Sequence, residues 1–187
     1  EYGRGRRAPL LALPTGGGKT FIFSYIAQQA TARGSRVMIL VHRQELLRQS
    51  CESLASLGVC HGRIAQGHPM DFRQAVQVAS VQTVVRRFDI LRKAGWAPSL
   101  TIVDEAHHSA AGSWAKVFSQ WPAARLLGVT ATPLRMDGKG LGVKAGGVFD
   151  SLVIGPDVQT LTELGYLSPA DVYAPPIAAD LTGLRTR

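Results

Sequence analysis

The chain has 187 residues, 45% of them apolar, enough for about one domain with a full hydrophobic core. Its net charge of +8 favours a polyanionic partner such as nucleic acid, although a basic domain can also bind nothing. No apolar run approaches the ~20 residues of a membrane span, the basic start Glu1-Tyr2-Gly3-Arg4-Gly5-Arg6-Arg7 lacks the apolar stretch of a secretory leader, and Cys51 and Cys60 have neither metal spacing nor a disulfide framework, which fits two structural thiols in a reduced, cytoplasmic location.

The first predicted element is a strand at 10–13. It runs into Pro14-Thr15-Gly16-Gly17-Gly18-Lys19-Thr20 and then into a helix-like stretch. A strand, a glycine-rich turn, Lys-Thr and a helix make a phosphate-binding loop. Glycines let backbone N–H groups converge on an anion, and the helix start adds free N–H groups and a positive dipole end. Lys19 is expected to reach the β- and γ-phosphates and Thr20 to place its hydroxyl on Mg²⁺. In the helix that follows, Ile22, Ile26 and Ala30 recur every four residues, and Gly34 is a candidate cap.

Further apolar runs lie at 37–41, 76–79, 100–103 and 126–129. Most are continuous rather than alternating, as suits strands buried on both faces of a parallel sheet. Between them, Leu47, Cys51 and Leu54 share one helical face with Gly58 beyond, and Trp114, Val117, Phe118 and Trp121 are helically spaced up to Pro122. This alternation implies right-handed βαβ crossovers with ligands at the carboxyl ends of the strands. From 137 onward the pattern breaks. Gly138, Gly140, Gly142, Gly146 and Gly147, with Lys139 and Lys144, read as a mobile loop, with a lid or a nucleic-acid contact as its functional reading. The spacing predicts a short helix over 158–164 ended by Gly165. The tail 170–187, with Pro175-Pro176, reads as an edge strand running into a linker.

Each polar motif falls just after an apolar run. Asp104-Glu105-Ala106-His107 follows the run at 100–103, where carboxylates are costly unless they meet a cation. Asp104 is the candidate Mg²⁺ ligand, and Glu105 the candidate general base that orients the attacking water. A solvated pair capping a helix is the plainer alternative. His107-His108 invites a zinc reading, but no His-Glu-x-x-His pattern or Cys pair accompanies it. In Gly128-Val129-Thr130-Ala131-Thr132-Pro133 the hydroxyls can relay the state of 104–107 to a nucleic-acid surface, or simply form a turn. His42-Arg43-Gln44-Glu45 and Ser80-Val81-Gln82-Thr83 suit phosphate contacts, or helix caps.

Taken in order, Pro14-Thr15-Gly16-Gly17-Gly18-Lys19-Thr20, Val41-His42-Arg43-Gln44-Glu45-Leu46, Ser80-Val81-Gln82-Thr83, Asp104-Glu105-Ala106-His107 and Thr130-Ala131-Thr132-Pro133 resemble motifs I, Ia, Ic, II and III of the superfamily 2 helicases. The resemblance covers about 10–175. It is nearest to the DNA repair and phage type of DEAD/DEAH-box helicase, through 130–140 with Arg135 and Asp137-Gly138, and through 149–169 with Gly165-Tyr166-Leu167. It implies an α/β fold: a RecA-like P-loop NTPase domain, a mostly parallel sheet sandwiched by helices, over 1–170, with 171–187 a linker toward a second RecA-like domain.

The resemblance further implies ATP and Mg²⁺ as ligands and DNA rather than RNA as partner, with no membrane role. Lys19, Asp104, Glu105 and His107 are then catalytic. His107, Thr130 and Thr132 couple the ATP site to the strand, which Arg43, Gln44, Ser80, Gln82 and Thr83 contact. Leu13 departs from the general phosphate-loop pattern, which has Gly there. Neither the second motor domain with its arginine fingers nor the upstream adenine-reading glutamine is recognisable in the sequence. The expected function is the N-terminal ATP-binding domain of an ATP-dependent DNA helicase, nearly inactive by itself. A duplex translocase subunit and an ATP-gated nucleic-acid sensor are the alternatives.

Overall fold

The computed structural model of the chain describes residues 1–109, 112–134 and 138–170. The expected tail strand and linker, Arg135 and Asp137 therefore lie outside the described residues. Seven strands build one sheet: β1 (Pro9–Ala12), β2 (Val37–Val41), β3 (His61–Ile64), β4 (Val76–Ser80), β5 (Leu100–Asp104), β6 (Arg125–Thr130) and β7 (Ser151–Ile154). Their order is β3-β4-β2-β5-β6-β1-β7, and every neighbouring pair is parallel. This is the RecA-like α/β sheet expected from the sequence, with two strands more than the five apolar runs.

The sheet is covered on both faces, as continuous apolar strands require. Val37, Ile39 and Val41 of β2 point to a core with Phe23, Ala27, Leu47, Cys51 and Leu54, from α1 (Lys19–Ala32) and α2 (Gln44–Ser56). Met38 and Leu40 point the other way, to Val81, Val84, Leu91, Trp114 and Val117. Those come from α3 (Val81–Arg86), α4 (Phe88–Lys93) and α5 (Gly112–Gln120).

Three expectations change. In α1 the fully buried positions are Phe23, Ser24 and Ala27, while Ile22, Ile26 and Ala30 are only partly buried. The helix is apolar on nearly every side, so its period alone did not fix which stripe meets the sheet. β3 and β7 are additional edge strands. β3 is short and carries polar side chains, which blunts an exposed edge. Gly62 leaves room there for the buried Gln77 side chain, whose amide oxygen would lie 2.4 Å from a Cβ. Finally, the glycine-rich segment is pinned rather than free among its described residues. Leu141 and Phe149 are buried, Leu134 bridges Gly140, and Gly142 bridges Phe149. The last helix, α6 (Val158–Glu163), forms where its spacing predicts, capped by Asp157, whose carboxylate accepts from the Thr160 N–H at 2.8 Å.

Candidate active site

Parallel strands bring five chain-distant segments to one edge. β1 ends at the glycine-rich loop, β2 at His42-Arg43, β4 at Ser80, β5 at Asp104 and β6 at Thr130. Because β1, β6, β5, β2 and β4 are consecutive in the sheet, these ends form one row.

The loop is tied to its neighbour by the Leu13 N–H, which donates to the Thr130 carbonyl at 3.0 Å. It turns through the Gly17 N–H bonding the Pro14 carbonyl at 3.0 Å. Gly16 and Gly18 take φ of 79° and 82°, which only glycine adopts cheaply. A Cβ at Gly17 would sit 2.9 Å from Leu13 Cγ and 3.0 Å from the Pro14 carbonyl oxygen. Lys19 folds back, its ammonium donating to the carbonyls of Leu13 and Pro14 at 3.2 Å each. Thr20 follows it in the first turn of α1.

Asp104 is buried, and its Oδ1 accepts the Glu105 N–H at 3.0 Å. Burial, then the charge of Glu105, pushes its pKa up to about 6, against the pull of the Glu105 N–H and Lys19. A carboxylate so placed is poised for a cation. Glu105 is the one non-glycine residue at positive φ among the described residues, at 51°, a strained conformation of the kind that clusters at functional sites. His107 Nδ1 lies 3.2 Å from both Glu105 Oε2 and Thr130 Oγ1. The Thr130 hydroxyl donates to the Thr132 carbonyl at 2.9 Å and accepts the Thr132 N–H at 3.1 Å. With its proton so committed, Thr130 can only accept from His107, as can the carboxylate, so Nδ1 carries the hydrogen. The sequence-predicted grouping of Glu105, His107, Thr130 and Thr132 is thus one hydrogen-bonded cluster.

Two polar recesses open along the row. One, of about 350 Å³, is lined by Thr15, His42, Arg43, Glu105, His107 and Thr132, among others. The next, of about 210 Å³, is lined by Arg43, Gln44, Ser80, Gln82 and Thr83 together with Gln66 and Arg86. All five strand-contact candidates therefore share one recess. Gln66 and Arg86 escaped the sequence reading because they stand outside any recognisable motif. His42 and His108 stand in motifs that the sequence showed, but their contact with each other did not show there. Their rings are 4.3 Å apart by centroid, and burial holds both imidazoles below their ordinary pKa. Strand order alone puts them together. A larger cavity of about 680 Å³ lies beside β7, lined by Leu134, Leu141, Val143, Phe149 and Leu152. Its apolar wall offers little to a phosphate.

Known proteins are similar in sequence and in fold. The family described as "Type III restriction enzyme, res subunit" matches residues 1–135. A "51.5 kDa protein" of a Lactococcus phage is 33% identical over 178 residues, covering 95% of this chain and 35% of that protein. The "Putative ATP-dependent helicase IRC3" of Saccharomyces cerevisiae is 31% identical over 193 residues, covering 94% of this chain and 27% of the relative. The chain thus spans about a third of these relatives' length. A nuclease-deletion mutant of the Type ISP restriction-modification enzyme LlaGI, solved with a DNA substrate mimic, has the same fold. Its TM-score is 0.68 at 16% identity, over 87% of this chain and 19% of that one. With motif order, parallel sheet and family match in agreement, the chain belongs to the family of the type III restriction enzyme res subunit and is a RecA-like motor domain of superfamily 2 helicases.

Proposed function

We propose that this chain is the ATP-binding motor domain of an ATP-dependent helicase or translocase that acts on DNA. The observation that carries the reading is the meeting of the glycine loop with the buried Asp104 and the strained Glu105 at one strand edge. The residues fit a magnesium nucleotide. The loop has no room for a side chain at Gly17, Lys19 rests on carbonyls it can exchange for phosphate oxygens, and Asp104 lacks a cation partner within salt-bridge distance among the described residues. ATP with Mg²⁺ would supply the phosphoanhydride bond whose hydrolysis drives movement.

Around that group, N–H groups of Gly16, Gly18 and Lys19 would bind phosphate oxygens, with Pro14, Thr15 and Gly17 shaping the loop. Thr20 and Asp104 would hold the metal. Glu105 would orient water and take its proton, and His107 would hold Glu105 in place while reporting to Thr130 and Thr132. Arg43, Gln44, Ser80, Gln82 and Thr83 would contact the strand backbone, a sequence-independent mode. LlaGI, of the same fold, was solved with a DNA substrate mimic, which supports DNA as a partner. The family's second RecA-like domain, with its arginine fingers, belongs to the proposal, and the relatives' greater length leaves room for it.

Calorimetric titration of the purified chain with ATP and Mg²⁺ tests this. Weak binding with negligible turnover is expected, since an arginine finger contributes about 10³–10⁵ in rate. Lys19→Ala should abolish binding, whereas Glu105→Gln should spare it and, in the longer protein, remove turnover. Binding unaffected by Lys19→Ala would defeat the reading, and rapid turnover by the chain alone would defeat its two-domain part.

A further inference from the structure

His42 and Arg43 are the residues that line both recesses, the one facing Glu105 and the one facing Ser80, Gln82 and Thr83. The second recess has no acidic residue in its lining. Its two guanidiniums, Arg43 and Arg86, form no ion pair among the described residues, so it suits an anion. An anion drawn to Arg43 acts on the junction of β2 and α2, where His42 sits one residue away.

The His42 ring packs on His108 at 4.3 Å, and His108 packs on His107 at 4.1 Å. His107 in turn holds Glu105 Oε2 at 3.2 Å. The contacts run from ring to ring, so a shift of His42 bears on His108 and, through it, on His107. His42 Nδ1 is buried and has no hydrogen-bond partner among the described residues, so that nitrogen does not anchor the ring. Its ring contact is with His108.

We propose that His42 is a positioning residue that couples occupancy of the strand recess to the placement of Glu105 through the His108 ring. The inference rests on the reading of the glycine loop with Asp104 and Glu105 as the nucleotide site and of the second recess as the strand site. Coupling between sites is reciprocal, so it is measurable as binding without turnover.

The test is fluorescence anisotropy of a labelled oligothymidylate with the chain, with and without saturating Mg²⁺ and a non-hydrolysable ATP analogue. In the wild type the analogue should change oligonucleotide affinity by about fivefold or more. In His42→Ala that ratio should fall toward unity, with each ligand's affinity alone measured as the reference. His42→Phe keeps a ring against His108 and should keep the ratio. A His42→Ala chain with the wild-type ratio, a His42→Phe chain that loses it, or a wild-type ratio of unity would each overturn the inference. A wild type that binds neither the analogue nor the oligonucleotide would defeat the reading of the sites themselves.

Discussion

Asp104 shows how a single residue trades stability for a task. Its pKa is raised to about 6 by burial and by Glu105, so the folded state prefers the protonated form. Its contribution to stability is fully present below the unfolded value near 3.8 and is lost as pH rises through about 6. At neutral pH without metal the ionised carboxylate therefore costs on the order of 2–3 kcal/mol. Asp104→Asn should raise the thermal midpoint at neutral pH by several degrees. It should also flatten the fall in midpoint between mildly acid and neutral conditions, as thermal melts at the two would show. Sequence made the Asp104-Glu105 pair legible, because two carboxylates after an apolar run are rare without a purpose. It could not reveal the left-handed backbone of Glu105 or the His42–His108 contact. Those depend on how the end of β5 meets the end of β2.

At the scale of elements, β6 is held between β5 and β1 and presents Thr130 to the site. Gly128 allows this, since a Cβ there would lie 2.5 Å from the Phe149 ring and 2.7 Å from Leu10 Cδ1. Gly128→Ala is expected to destabilise the chain by about 1–3 kcal/mol, the usual cost of overpacking a filled core. Urea denaturation checks it, and a cost near zero would mean that the Phe149 segment yields easily. The same contact explains why the glycine-rich stretch is no free loop: Phe149 and Leu141 plug the face of the sheet. Apolar runs identified β1, β2, β4, β5 and β6 because those strands are buried in the sheet interior. β3 lacks such a run, and β7 leaves Leu152 and Ile154 half or more exposed at 50% and 76%. Edge strands need less burial, so hydrophobic pattern marks them weakly. The face of α1 was ambiguous for the opposite reason. With Phe21, Ile22, Phe23, Tyr25 and Ile26 on all sides, only contact with the sheet selects Phe23 and Ala27.

Over the whole molecule, the net charge of +8 becomes useful only where it is focused. Several arginines are spent in local pairs, such as Arg48 with Glu52 at 2.6 Å and Arg73 with Asp71 at 2.9 Å. Arg43 and Arg86 instead open on one polar recess. Oligonucleotide affinity should fall steeply from ~50 to ~200 mM salt. Arg43→Ala or Arg86→Ala should each lower the slope of log affinity against log salt by about one, whatever the base sequence. Arg48→Ala should leave it unchanged, and an equal effect in all three variants would assign the binding to bulk charge instead. The sequence by itself determined the strand–helix alternation, the motif order and the candidate roles of Lys19, Thr20, Asp104 and Glu105, because those signals are local in the chain. Only the tertiary structure decided that Arg86 and Gln66 join the recess of Arg43, that His42 meets His108, and which arginines form no ion pair among the described residues. Strand order in a parallel sheet is set by crossovers and packing, and residues dozens of positions apart become neighbours only once that order is formed.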